Sequence, residues 1–372
     1  MIPLAKPFFD QKELDAVKET FKSGWVAGQG PKNYELEKKF ADYIGTKYAV
    51  CAANCTAALH LALLSLKIGK GDEVIVPDYS FPATAHAVLY TGAKPVFVDI
   101  DERTYNIDPY LIEKSISKKT KAIMPVHTMG QCADMKEILE IAKKHKLYVI
   151  EDAACAFGSE YKGKKAGSFG DVNCFSFHAR KSITSGEGGI ITTNSKNIEE
   201  KTRSLACFGI ESAYKRQSEF SVPRFTELGY NYKLSDIQAA IVLEQLKKQE
   251  NFIKKRQYLA GYYNKKLKEI GFINTPFVGK HNKHVYQSYV CILDEKINRN
   301  KLINEMKKRG IQTTIGTYCL SAQPIYKTKL TNKNALYIFK HAIALPMFYE
   351  LSLKQIDQVV SALTKCAKKC KI

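Results

Sequence analysis

The chain has 372 residues, 45% of them hydrophobic, which is enough for a large core in two domains, and its ten scattered cysteines exclude the dense disulfide scaffold of a small secreted protein. No apolar run approaches the ~20 residues of a membrane helix and Met1-Ile2-Pro3 opens no export pattern, so the expected location is the cytoplasm, with no membrane partner. The formal charge of +20 is dispersed over pairs such as Lys143-Lys144 and Lys247-Lys248, without an aromatic-interleaved groove, so nucleic acid is not an expected partner and a phosphorylated small ligand is compatible.

Helical patterns over 13–21 and 33–43 are separated by SGWVAGQGP, a glycine-punctuated loop with the chain's one tryptophan, Trp25, placed there to line a pocket or to pack. A strand over 48–51 runs into AANCTAALHLALLSL, which turns helical at about Thr56. Strand patterns over 73–77, 95–99, 121–125 and 147–151 then alternate with helical ones over 83–90, 108–117 and 135–145. That order predicts an α/β fold with a mostly parallel sheet wrapped by helices and ligands at the carboxyl ends of the strands. A long helical pattern over 235–267 leads out of this unit. Strand patterns at 287–293 and 312–318, between helices over 300–308 and 353–365, predict a smaller α/β domain. The expected division is a large domain over 1–245 and a small one over 246–372.

The chemistry concentrates in DVNCFSFHARKSITSGEGGIITTN, which reads as a strand over 172–177, a polar turn holding Lys181, a flexible Ser-Gly-Glu-Gly-Gly hinge and a strand over 190–193. Lysine condenses with carbonyls when its surroundings leave some of it neutral. A partner stands upstream. The strand LYVIE hands over to Asp152, a carboxylate at a strand's carboxyl end and so on the ligand side of a parallel sheet. Such an acid opposite a lysine suits pyridoxal phosphate, whose ring nitrogen needs an ionised partner. Thr56 and Ala57 at a helix start, with the Ser176 hydroxyl, offer a phosphate cradle, and Phe81 offers a ring face. The CxxxC pairs Cys51/Cys55 and Cys366/Cys370 lack the histidines or paired CxxC of a zinc site, so no metal is expected.

These residues, with SGWVAGQGPKNYELEKKFADYIG, GDEVIVPDYSFPATAHAV, EDAACAFGSEYKGKKAGSFGD, ELGYNYKLSDIQAAIVLEQL and ALPMFYELS in the same order, make the sequence similar to the DegT/DnrJ/EryC1/StrS group of pyridoxal-phosphate sugar aminotransferases. The resemblance covers nearly the whole chain. It implies the aspartate aminotransferase fold, fold type I, with Lys181 as Schiff-base lysine and proton shuttle and Asp152 against the ring nitrogen. It implies Phe81 on the ring and Thr56, Ala57 and Ser176 at the phosphate, with Asn231 reaching the phosphate from the second subunit of a homodimer that shares its active sites. Cys155 stands where most members carry glutamine or histidine near the ring hydroxyl, and Cys55 replaces a common glycine.

The implied reaction has two halves: glutamate leaves its amino group on the cofactor as pyridoxamine phosphate, which gives it to a keto sugar. A branch that removes oxygen instead has histidine at the lysine position, so Lys181 argues for transamination. Most relatives take a 4-keto-6-deoxy hexose on a nucleoside diphosphate; others take a 3-keto sugar, an inosose or an amino-shikimate precursor. In TTIGTYCLSAQPIY the histidine of a family histidine-tyrosine pair is absent, leaving Thr317 and Tyr318 as sugar contacts, with His178 touching substrate or filling space. The rival readings are a different pyridoxal-phosphate reaction such as racemisation, and a non-catalytic regulatory or nucleic-acid-binding protein.

Overall fold

The computed structural model describes residues 1–211, 222–328 and 332–372. Its centre is a seven-stranded sheet made of β1 (Tyr48–Ala52), β2 (Glu73–Pro77), β3 (Lys94–Val98), β4 (Thr120–Ile123), β5 (Tyr148–Asp152), β6 (Val172–Ser176) and β7 (Gly189–Thr193). The order across the sheet is β1-β7-β6-β5-β4-β2-β3, and β7 alone runs against its neighbours.

Alternate residues of these strands feed two cores, as the two-residue period of a strand requires. Ile75, Ile123, Val149, Phe175 and Ile190 pack on one face with Leu36, Phe40, Ile138 and Val242. Val74, Val76, Ala122, Ile150, Cys174 and Ile191 pack on the other with Leu59, Leu63, Val88 and Leu205. Helices cover both faces, which is why the strands read as unbroken apolar runs. The Cys55–Ser65 helix is buried along most of its length and lacks a polar face because the sheet and the helices Ala83–Tyr90 and Lys196–Ala206 close around it.

A 32-residue helix, Asp236–Leu267, runs from this unit into a second core. There Leu259, Tyr263 and Leu267 meet a three-stranded antiparallel sheet of Ile273–Asn274, Tyr289–Leu293 and Ala342–Leu345, with helices Arg299–Lys308 and Leu353–Ala367. The first residues return to this C-terminal unit: Ile2 N–H donates to the Gly310 carbonyl at 2.7 Å and Met347 N–H to that of Leu4 at 3.0 Å. Among the described residues no helix is long and apolar enough to cross a membrane.

The sequence expectation of a strand over 312–318 needs correction. That stretch makes one isolated bridge, at Thr314, and only Tyr318–Cys319 pairs as a strand, with Tyr79–Ser80 of the large unit. The third strand of the small sheet is Ala342–Leu345, preceded by the helix Lys333–His341. Gly316 explains the departure: a Cβ there would lie 2.2 Å from the Tyr79 hydroxyl, so the chain is drawn onto Tyr79 instead of running on in a sheet. The expected helix over 108–117 is short, Pro109–Ile112 followed by a 3-10 turn.

Candidate active site

Lys181 lies in the connection between β6 and β7, and the polar turn around it is a closed knot, not the flexible hinge its glycines suggested. Phe177 and Ala179 N–H donate to the carbonyls of Gly188 and Gly186, each at 2.8 Å, and Lys181 N–H to that of His178 at 2.8 Å. The Thr184 hydroxyl donates to the Phe177 carbonyl at 2.7 Å. Gly188 has φ +146°, and a Cβ on Gly189 would come within 2.6 Å of the Asn54 backbone, so these two positions require glycine.

The lysine amine meets the other half of the site directly. Nζ donates to Cys155 Sγ at 3.0 Å. The side chain as a whole is half-buried, but its amine end is enclosed near Cys155, Cys55 and Asp152. Burial pushes the amine's pKa down, those three groups push it up, and the net direction is upward.

Asp152, at the end of β5, is 4% exposed. Its Oδ2 accepts from the Thr84 hydroxyl at 2.8 Å and its Oδ1 from the Ala154 N–H at 3.2 Å. Burial pushes its pKa up, against the pull of these hydrogen bonds and of Lys181. No cation pairs with it within ion-pair distance among the described residues. The preceding residue, Glu151, points to the opposite face, where it accepts from His127 Nε2 at 2.7 Å and from the amides of Gly167, Phe169 and Gly170. One strand end therefore carries a structural carboxylate and a cavity carboxylate side by side.

Both Lys181 and Asp152 line a cavity of about 730 Å³. Thr56, Ala57, Phe81, Cys155, Ser176, His178 and Thr317 line the same space. The helix cap differs from the sequence expectation in one detail. Asn54 Oδ1 takes the Ala57 N–H at 2.8 Å, so the open amides of the Cys55–Ser65 helix are those ahead of Ala57. The asparagine before an apolar helix was a legible capping signal. Thr84, Gln287, Tyr232 and Met129 also line or brace the cavity, and no sequence pattern marked them.

Three expected contacts lie outside this lining. Trp25 is 55% exposed on its loop. Asn231 is exposed, its Oδ1 accepting from Lys233 Nζ at 2.5 Å. Tyr318 packs between Phe81 and Phe339, each with ring centroids 6.2 Å away, while the preceding Thr317 takes the cavity side. His178 lines the cavity with its Nε2 3.7 Å from Glu187. All ten cysteines are free thiols and Cys155 alone is not buried; among the described residues no group of His, Cys, Asp and Glu could hold a metal ion.

Comparison with known proteins agrees with this geometry. The model of the DegT/DnrJ/EryC1/StrS aminotransferase family matches residues 7–364. The chain belongs to that family. GDP-perosamine synthase of Caulobacter vibrioides is 41% identical over 367 residues, covering 97% of each chain. The spore coat polysaccharide biosynthesis protein SpsC of Bacillus subtilis is 38% identical over 379 residues, covering 99% of this chain and 97% of its own. Among solved structures, Spr1654 of Streptococcus pneumoniae in its pyridoxamine-phosphate form superposes with a TM-score of 0.93 at 28% identity, covering 99% of this chain and 100% of its own. Its pyridoxal-phosphate form gives 0.92 over 99% of both chains. This family member is thus an α/β pyridoxal-phosphate aminotransferase by fold and kinship, with its lysine and aspartate in one cavity.

Proposed function

We propose that the protein transfers the amino group of glutamate to a keto sugar linked to a nucleoside diphosphate, a 4-keto-6-deoxy hexose, in the cytoplasmic synthesis of a cell-surface glycan or other modified sugar. One observation carries the reading: Lys181 and Asp152, from different sheet connections, converge on a single cavity in a chain 41% identical to a GDP-perosamine synthase.

The residues present fit pyridoxal phosphate. Asp152 is a buried carboxylate with no cation within ion-pair distance among the described residues, and a protonated pyridine nitrogen is a partner that favours its ionised form. The helix start at Cys55 and Thr56, with the hydroxyls of Thr56 and Ser176, forms a cradle suited to a phosphate dianion. Phe81 is assigned to the ring face and Cys155 to the ring hydroxyl. When bound, the cofactor supplies an aldehyde that takes up an amine and a ring that accepts electrons from the adjoining carbon.

The chain's own residues do the rest. Lys181 Nζ would hold the aldehyde of a bound cofactor and, when free of it, would take and return the substrate proton. The upward bias on this amine comes from Cys155, Cys55 and Asp152. With Asp152 engaged by the ring nitrogen of a bound cofactor, its share of that bias would fall and more of the Lys181 amine would be neutral for proton transfer at neutral pH. Thr84 keeps the Asp152 carboxylate aimed, and the knot around Phe177 keeps the lysine on the cavity side. Thr317 and His178 are the assigned sugar contacts, and Asn231 is assigned to the phosphate of the partner site in a homodimer, which matches its place outside its own cavity.

The test is a screen of GDP-, UDP- and dTDP-linked keto sugars with glutamate as donor, reading 2-oxoglutarate release and product mass. An aminated nucleotide sugar with equimolar 2-oxoglutarate is the expected result. Isomerised substrate with no 2-oxoglutarate would overturn the reading.

A further inference from the structure

Gln287 stands at the start of the strand Tyr289–Leu293, more than a hundred residues from the lysine turn, yet it lines the same cavity at 7% exposure. Its side-chain nitrogen donates to the Arg180 carbonyl at 2.5 Å, beside Lys181. Only the NH₂ end of an amide can donate to a carbonyl, so this contact fixes which way the group faces. Oε1 is then its remaining polar atom. Among the described residues nothing donates to it, and it is not one of the sealed-off polar atoms of the core: it opens into the cavity, within reach of a bound group.

The backbone beneath Gln287 is clamped with equal care. Arg256, on the long helix, is 5% exposed and pairs with no carboxylate among the described residues. Its Nη1 instead donates to the carbonyls of Tyr286 and Gln287 at 3.2 Å and of Met347 at 3.4 Å. Met347 is itself part of the cavity wall, and Tyr286 is held in the left-handed region at φ +50°. Strain of this kind persists where the surroundings over-determine a conformation. Arg256 thus ties the two strand ends of the small unit into one wall, and Gln287 ties that wall to the turn bearing Lys181.

We propose that Gln287 is a substrate-recognition residue, its Oε1 accepting a hydrogen bond from a hydroxyl or ammonium group of the substrate, and that Arg256 is the positioning residue that holds it. An acceptor-only oxygen selects for a donor, and both substrates of the reaction proposed above carry one: the amino donor an ammonium, the keto sugar its hydroxyls. The inference rests on that reading for the substrates but not for the geometry.

The holoenzyme separates the sources, because its two half-reactions can be followed apart by cofactor absorbance, glutamate converting the pyridoxal form and a GDP-linked 4-keto-6-deoxy hexose the pyridoxamine form. Gln287→Met, which removes the acceptor and keeps the volume, is expected to raise the half-saturating concentration of one probe at least tenfold. The other probe should stay within twofold and cofactor retention should be unchanged. A shift for the sugar assigns a hydroxyl, and a shift for glutamate assigns the ammonium. Arg256→Lys is expected to retain most of that affinity and Arg256→Met to reproduce the Gln287→Met shift on the same probe, a pattern that mere loss of folding would not give. Gln287→Met leaving both probes within twofold, or weakening both equally together with cofactor loss, would overturn the proposal. A wild-type enzyme that converts neither probe would instead sink the underlying reaction.

Discussion

The floor and the wall of the cavity are built on different principles. The floor comes from β5, β6 and the connection after β6, where Asp152 ends one buried strand and Lys181 stands in the turn that follows the next. The wall comes from Leu4, Met129, Gln287, Thr314 to Thr317 and Met347, stretches far apart in the chain. Long-range polar contacts hold it. Asp78, wholly buried at the end of β2, accepts from the Ser321 N–H and hydroxyl at 2.6 Å and from Asn332 Nδ2 at 2.9 Å. The Tyr79 hydroxyl accepts from the Thr317 N–H at 3.1 Å. The floor thus sets Asp152 and Lys181 on a rigid sheet, whereas the wall is assembled from separate stretches of chain joined by individual hydrogen bonds.

That contrast yields graded expectations. Replacing Lys181 by Ala should abolish transamination, a loss of about 10³-fold or more, with the unfolding midpoint little changed; 2-oxoglutarate release and urea denaturation check the two parts. Retained turnover would dissolve the distinction between floor and wall. Asp152→Asn should cost about 10²-fold in turnover, and the cofactor's absorbance should show a ring nitrogen that has lost its anionic partner.

On the wall the effect moves to stability and substrate affinity. Asp78→Ala strands the buried donors of Ser321 and Asn332 and should cost about 3 kcal/mol in unfolding free energy. The sugar KM should rise about tenfold with cofactor affinity unchanged, because the 314–321 stretch loses its anchor. An equal loss of cofactor would show that the two regions are not separable.

The most gradual effect, spread over several pH units, is a pH dependence of the wall's underside. Burial pushes His284 down to about 3 from 6.5, so it stays neutral in the folded chain while the unfolded chain takes up a proton as pH falls below 6.5. A depressed pKa means stability present above the unfolded value and lost on acidification between pH 6.5 and about 3, by at most about 1.4 kcal/mol per pH unit from this group. Urea midpoints across that window should fall less steeply for His284→Asn than for wild type; an identical slope would remove His284 from the account.

Local pattern was enough for the central sheet, since strands such as β2 are apolar on both faces and flanked by helical periods that announce a parallel sheet. It was enough to single out Lys181, in the turn after one strand, and Asp152, at the end of another, which the fold brings to one cavity. It was not enough for the stretch over 312–318, read as a strand from its residue types but drawn onto Tyr79 across 238 positions. Nor did it reveal Thr84 behind Asp152, or the strand Ala342–Leu345, whose four residues lack an alternation to betray them.

By itself the sequence determined the sheet and the family, and brought forward Lys181 and Asp152 as candidates, because periodicity and motif order are properties read along the chain. Only the tertiary structure decided which way the Gln287 amide faces and that Tyr318 turns from the cavity while Thr317 lines it. Those outcomes follow from hydrogen bonds that buried groups must satisfy with whatever the fold brings near, and that choice is made across the chain, not along it.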